Sequence, residues 1–389
     1  MHTSQSQPQT RVTPLHHIRQ SLHTSHLVFL QSPVDRLNRF PPEVLLLKYT
    51  TRLLTTLGGI VGGTLGAAAA THLGVQWFRT RKVDPELRHR GLLVHPIWRT
   101  PALWNRSYPG YAATHLEPRT SHGDVSGVRI SSHNVAGYAG GPPVPVRHYT
   151  PATPPTKTPD FALLWLHNGG FVRGTPEAED GVCAYLARSL GCTVINPEYR
   201  LAGTAPFPAA LHDVRAVFDW LSDTYTPERI VVAGAGAGGG LAACLTQWLH
   251  DAGTPPAFQL LMEPMLDDRT RVTPNPGRGE FVWGHTANTL AWNCYLSYLS
   301  PHDEFPDYAA ANRRLDLAGL PPTFLAVGDL DLFYEEDLTY VRRLREQGVA
   351  VTSMILPGAY HGALTRRLRA PHVQQAWEKA FQTLRQQFT

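Results

Sequence analysis

A glycine-dense turn in the middle of the chain has the pattern of a catalytic motif. The turn follows an apolar run at 229–233 and reads Gly-Ala-Gly-Ala-Gly at 234–238, before a stretch of small helix-forming residues. A strand, a sharp turn and a helix in this order form the elbow that lifts a nucleophilic serine above a sheet. Gly236 stands at the centre of the turn, so the sequence predicts the elbow backbone without a hydroxyl. Glycine adopts such a strained conformation without steric cost.

A glycine-rich turn of this kind could also bind a phosphate at the N-terminus of the helix. A Walker loop needs Lys and then Ser or Thr after the glycines, and residues 239–241 are Gly, Gly and Leu. A dinucleotide-binding turn normally opens the first strand–helix–strand unit, whereas this turn lies deep in the chain. We therefore expect no cofactor.

Six other motifs accompany the turn. They are His-Asn-Gly-Gly-Phe at 167–171, Asn-Pro-Glu-Tyr-Arg-Leu-Ala at 196–202, Phe-Pro-Ala-Ala-Leu-His-Asp at 207–213, Pro-Met-Leu-Asp-Asp-Arg at 264–269, Gly-Asp-Leu-Asp-Leu-Phe at 328–333 and Pro-Gly-Ala-Tyr-His-Gly at 357–362. In this order and spacing, the chain from about 140 to 389 resembles the hormone-sensitive-lipase-like branch of the α/β hydrolases. The resemblance implies an α/β-hydrolase fold, in which a mostly parallel central sheet carries helices on both faces and a helical cap.

The resemblance also implies residue roles. It makes His361 the general base and Asp331 the acid that orients the imidazole and stabilises its charged form. Asp329, two residues earlier, is the alternative acid. Asp331 is preferred because Asp-Leu-Phe followed by Glu336 and Asp337 matches the family's pattern in that register.

Backbone N–H groups of Gly169, Gly170 and Ala237 form the implied oxyanion hole, which would bind the carbonyl oxygen of an ester. Two nearby residues depart from the family's pattern. Asn168 replaces the first glycine of the loop, and Ala235 replaces the acidic residue that usually precedes the nucleophile.

Three functions fit this combination. The first is an enzyme for a small apolar ester or carbonyl compound. In it, His361 and Asp331 would act by acid–base chemistry in hydrolysis, C–C cleavage, elimination or cyclisation. The second is an inactive protein that binds a small molecule, and the third is a scaffold. Retention of both His361 and Asp331 favours the enzyme.

Composition excludes other classes. The 389 residues carry a net charge of only +4 without a dense basic cluster, so we expect no nucleic-acid partner. The four cysteines have no metal-ligand spacing and are expected to be reduced core thiols, which fits an intracellular protein. The polar start of the chain lacks an apolar core near Met1, so a cleaved secretory signal is not expected. Its histidines have no Cys or carboxylate partners spaced with them, and no metal site is expected there.

An uncharged stretch at 53–78 is long enough to cross a bilayer, which takes about 20 apolar residues. It is rich in glycine, with Gly58, Gly62 and Gly66 at the four-residue spacing of close-packed membrane helices. Its hydrophobicity is marginal, so membrane association through this stretch and a cap helix over the site both remain open. The domain prediction is a disordered tail at 1–45, an apolar helix and cap region at 46–125, and the α/β-hydrolase domain at 126–389.

Alternating strand and helix patterns predict the elements of that domain. One or two strands open it within 128–150. Further strands are expected at 161–166, 192–196, 229–233, 258–262, 323–327 and 351–356, and helices at 178–190, 208–222, 238–251, 286–299, 335–347 and 371–386.

Overall fold

A single mixed β-sheet organises the part of the chain that the computed structural model describes. The described residues are 71, 73–93, 123–153, 159–273, 275, 277–299 and 304–388. They belong to one unit, Thr71–Thr389. The predicted tail at 1–45, most of the apolar stretch at 53–78 and most of the predicted cap lie outside them.

Eight strands form this sheet within the described residues. They are β1 (Val128–Val135), β2 (Val144–Pro151), β3 (Ala162–Leu166), β4 (Thr193–Pro197), β5 (Ile230–Ala235), β6 (Phe258–Met262), β7 (Thr323–Gly328) and β8 (Val351–Leu356). Their order is β1-β2-β4-β3-β5-β6-β7-β8. β1 pairs with β2, and β2 with β4, in antiparallel register, while the other pairs are parallel. The predicted α/β-hydrolase fold with a mostly parallel sheet is confirmed.

Seven α-helices with defined bounds connect the strands in the described residues. They are α1 (Asp180–Leu190), α2 (Ala209–Ser222), α3 (Ala237–Asp251), α4 (His285–Tyr295), α5 (Tyr334–Glu346), α6 (Ala363–Arg366) and α7 (Pro371–Gln387). No helix in these parts of the chain has the length and apolar character that crossing a membrane requires.

The helices cover both faces of the sheet, as predicted. One apolar core joins a sheet face to α2, α3 and α5, and the other joins the opposite face to α1 and α7. The apolar face of α7 is buried, with Trp377 fully covered and its indole N–H donating to Leu364 O at 2.9 Å. The alternation of short apolar strands and helices therefore specifies a three-layer arrangement.

Helix ends follow the local chemistry. α1 ends where Gly191 adopts a left-handed conformation with φ of 70°, as the glycine at this position predicts. The helix predicted at 286–299 is shorter, because α4 ends at Tyr295. The carbonyl of Tyr295 accepts a hydrogen bond from Phe207 N at 2.9 Å, which holds the end of α4 against the start of the motif at 207–213.

The carboxyl ends of the parallel strands place the residues of the candidate site together. β3 leads to Asn168, β5 to Gly236, β6 to Glu263, β7 to Asp331 and β8 to the loop of His361. These five strands are consecutive in the sheet. Parallel strands end at the same edge, so residues far apart in sequence meet there.

Candidate active site

Gly236 forms the sharp turn between β5 and α3. Its φ of 50° and ψ of −122° lie outside the conformations that L-residues readily adopt. The turn is fixed on both sides, since Gly236 N donates to Met262 O at 3.0 Å and Met265 N donates to Gly236 O at 2.8 Å. A Cβ atom built on Gly236 would overlap the side-chain carboxamide of Asn168. The space of a side chain at position 236 is thus already occupied.

Asn168 fills that space with three polar contacts. Its Oδ1 accepts from Gly169 N at 2.6 Å and from Ala237 N at 3.4 Å. Its Nδ2 lies 3.0 Å from His361 Nε2. The carboxamide oxygen therefore accepts hydrogen bonds from two of the three N–H groups that the family resemblance assigns to an oxyanion hole. The N–H of Gly170 is not among the donors to this oxygen.

His167 anchors the loop that presents Asn168. Its ring stacks on Tyr199 with centroids 4.1 Å apart, and its carbonyl accepts from the Tyr199 hydroxyl at 2.7 Å. Burial lowers the pKa of His167 to about 4. This imidazole is therefore neutral at physiological pH, and its fixed ring supports the loop.

His361 and Asp331 form a buried pair. His361 Nδ1 lies 2.9 Å from Asp331 Oδ2, and His361 and Asp331 are 3% and 0% exposed. Asp331 Oδ1 also accepts from Phe333 N at 3.0 Å, which fixes the carboxylate. With Nδ1–H donating to Asp331, His361 Nε2 is left as an acceptor and faces the N–H of Asn168 Nδ2.

Asp329 has a different environment from Asp331. Its Oδ1 accepts from Gly358 N at 2.7 Å, so it ties β7 to the loop that carries His361. Of the two carboxylates that the sequence left open, the structure brings Asp331 to the imidazole and uses Asp329 as a loop cap.

Glu263 is a third acid beneath His361, and sequence analysis did not single it out. It is fully buried, with Oε2 accepting from Gly362 N at 2.8 Å and Oε1 from Leu364 N at 3.3 Å. Burial, and then the negative charge of Asp331, raise the pKa of Glu263 well above its ordinary range. The protonated form of Glu263 is therefore favoured relative to an exposed glutamate, and its two backbone contacts support the His361 loop.

A metal ion could be considered at this cluster, since side-chain donor atoms of Glu263, Asp331 and His361 lie within 4.8 Å of one another. Both oxygens of Glu263 already accept backbone hydrogen bonds, and His361 Nδ1 is engaged by Asp331. These hydrogen bonds explain why the three side chains lie close together.

Aromatic side chains surround the dyad. The Phe333 ring stands nearly perpendicular to the His361 imidazole, with centroids 5.1 Å apart, and the Trp283 ring lies 6.2 Å from it. Trp283 also lies against Gly170, where a Cβ would overlap its ring. Phe171 stacks on Tyr295 at 4.0 Å beside the same loop. The surroundings are apolar, which strengthens electrostatic contacts inside the site.

Most of these residues carry a signal in the sequence, but two relationships between them do not. Asn168 was noted only as a departure from a loop motif. Its contact with the turn of Gly236 joins two loops that are far apart in the sequence. Glu263 comes directly after the buried strand β6, and its own backbone is in a left-handed conformation with φ of 44°. A charged residue directly after an apolar strand was the available signal for Glu263.

Comparison with known proteins agrees with the fold. A family model described as alpha/beta hydrolase fold matches residues 163–365. Esterase LipI of Mycobacterium tuberculosis is 30% identical over 265 residues, covering 66% of this chain and 82% of LipI. Ethyl acetate hydrolase of Pseudomonas putida is 30% identical over 228 residues, covering 56% of this chain and 70% of that protein.

Solved esterase structures are similar as well. A bacterial heroin esterase superposes with a TM-score of 0.66 at 31% identity, covering 80% of this chain and 99% of that one. Esterase LipW from Mycobacterium marinum gives a TM-score of 0.62 at 32% identity, covering 79% and 97%. The chain belongs to the hormone-sensitive-lipase-like family of α/β hydrolases. It is a carboxylesterase-like member of that family.

Proposed function

We propose that this protein acts on a small apolar ester or carbonyl compound by His361–Asp331 acid–base chemistry, without a covalent intermediate. The observation that carries the proposal is the 2.9 Å contact between His361 Nδ1 and a fully buried Asp331, facing a turn that offers no hydroxyl. A scaffold has no need of a buried, oriented imidazole. The serine route is closed, because Gly236 stands where the family places its nucleophile.

Asn168 determines how a substrate would enter. Its carboxamide mimics a bound acyl group, with its oxygen on Gly169 N and Ala237 N and its nitrogen at His361 Nε2. For a substrate carbonyl to reach these donors, the Asn168 side chain must rotate away. The absent Cβ of Gly236 then leaves space for a water molecule beside His361 Nε2.

Ester hydrolysis would follow in two proton transfers. His361 Nε2 takes a proton from the water as its oxygen bonds to the ester carbonyl carbon, and the carbonyl oxygen becomes an oxyanion held by Gly169 N–H and Ala237 N–H. The tetrahedral species then breaks its bond to the alcohol oxygen, which receives the proton from His361. Asp331 stabilises the charged imidazole between the two transfers. The same base could remove a proton beside a carbonyl, which extends the proposal to C–C cleavage, elimination and cyclisation.

The test is hydrolysis of a short-chain aryl ester by the full-length protein and by His361→Ala. We expect slow wild-type turnover, since no nucleophile is present and Asn168 competes for the hole. Loss of the general base should lower the rate by about 10²-fold or more. A rapid release of aryl alcohol equal to the enzyme concentration would reveal an acyl-enzyme and contradict the proposal. A rate unchanged in His361→Ala would contradict it too.

A second candidate, a small-molecule binding protein, is favoured by one observation. Both backbone donors at Asn168 Oδ1 are already satisfied inside the chain. A binder would bury its ligand among the aromatic side chains and leave this contact intact. Raised thermal stability in the presence of an ester, with no hydrolysis in wild type, would support the binder over the enzyme.

A further inference from the structure

The first described helical segment has its polar and apolar faces reversed. Residues 73–79 are helical, followed by a short 3₁₀ turn at Thr80–Lys82. Gln76 is 1% exposed and Thr80 is 8% exposed, so polar side chains face the protein. Trp77 and Phe78 are 43% and 66% exposed and face outward. A helix that packs in water normally buries its apolar side.

The exposed apolar residues are also concentrated in this segment. Large exposed hydrophobic side chains elsewhere in the described residues are scattered singly along the chain, at Val272, Tyr298, Leu315 and Ile355. Here Val75 joins Trp77 and Phe78 within four positions, and Val75 is 47% exposed. Single exposed hydrophobic residues need no explanation, but a cluster of them marks an interaction surface.

Basic side chains border the cluster. The guanidinium of Arg81 lies 4.4 Å from the Trp77 ring centroid and 5.5 Å from that of Phe78. Lys82 is half exposed and lies 3.6 Å from Glu280. The acidic groups nearby, Asp84, Glu86 and Glu280, partly offset this charge, so apolar contact rather than net charge must supply most of the attraction.

We propose that Val75, Trp77 and Phe78, bordered by Arg81 and Lys82, dock on an anionic lipid surface. Tryptophan beside basic residues is the arrangement found at the boundary between acyl chains and headgroups. The sequence before this cluster contains no charged residue from position 53 onward, so the cluster ends an uncharged stretch. A surface that binds another protein would not need to follow a long stretch without charged residues. The inference is independent of the proposed reaction.

The experiment is co-sedimentation of the full-length chain with vesicles of phosphatidylcholine alone or mixed with phosphatidylserine. We expect wild type to bind both, and the mixed vesicles more tightly because Arg81 and Lys82 meet anionic headgroups. The double variant Trp77→Ser/Phe78→Ser should bind the vesicles at least about tenfold more weakly than wild type. Leu315→Ser, which changes an 84% exposed leucine elsewhere, is the matched control and should bind like wild type.

Folding is checked by the far-ultraviolet spectrum and the melting temperature, which the surface changes should leave unaltered. Wild type that fails to sediment with either vesicle would overturn the proposal. So would a double variant that binds as tightly as wild type, because the attachment would then lie elsewhere. A wild-type dimer that becomes monomeric in Trp77→Ser/Phe78→Ser, without vesicle binding, would identify the surface as a contact between two copies and also overturn it.

Discussion

Replacing Asn168 with glycine and Gly236 with serine in one chain is expected to create an ordinary aryl esterase. The remaining parts are in place, with His361 Nε2 facing the turn and Gly169 N and Ala237 N directed at one point. The serine would receive the base that it needs, and the ester carbonyl would receive the vacated donors. We expect kcat/KM to exceed the wild-type value by about 10³-fold or more, since nucleophile and base act as a unit. The measurement is the initial rate of aryl acetate hydrolysis.

The single variant Gly236→Ser is the informative comparison. Its new Cβ would overlap the Asn168 carboxamide, so the serine could fit only if Asn168 moved. We expect this variant to gain far less than the double variant and to unfold at a lower temperature than wild type. If Gly236→Ser alone reached the activity of the double variant, Asn168 would not be the obstacle. A folded but inactive double variant would show that the dyad and the donors are no longer aligned for catalysis.

In that double variant, Asp331→Asn is expected to lower kcat by about 10⁴-fold. An amide at this position would stabilise the wrong imidazole tautomer and would not balance the positive charge that forms on the ring. Asp329→Asn is the matched control two residues away. Its retained Oδ1 can still accept from Gly358 N, so kcat should change little. Initial rates with saturating aryl ester decide between the two.

Equal losses in Asp331→Asn and Asp329→Asn would contradict this assignment and indicate a general disturbance of the loop between β7 and α5. A larger loss in Asp329→Asn would transfer the orienting role to that residue. Melting temperatures measured alongside the rates separate a catalytic effect from loss of structure.

Short-range patterns were sufficient to predict the sheet and the helices: apolar strands, helix-ending glycines, and loops at the carboxyl ends of strands. The roles of His361 and Asp331 were predicted only from the resemblance to a known family. Gly236 was also recognisable, because the small residues around it are those that a sharp turn requires. The structure adds the backbone conformation that makes position 236 an elbow.

The relationship between Asn168 and Gly236 was not predictable in this way. The two residues follow different strands, and they meet because β3 and β5 are neighbours that pair in parallel register. Each is a plain departure from a motif when viewed alone. Together they are complementary, since the carboxamide occupies the volume that the missing side chain leaves. Glu263 is similar, because its hydrogen bonds to the His361 loop follow from the position of β6 between β5 and β7.

If the Asn168 carboxamide closes an otherwise assembled site, Asn168→Gly in the wild-type background should open it. The measurement is the rate of aryl ester hydrolysis beside wild type and Asn168→Asp, a variant of similar shape whose carboxylate would occupy the same donors. We predict a gain of about tenfold to a hundredfold for Asn168→Gly, because access to oxyanion donors is worth at least that much. Asn168→Asp should show no gain. A folded Asn168→Gly protein with an unchanged or lower rate would show that Asn168 does not close the site.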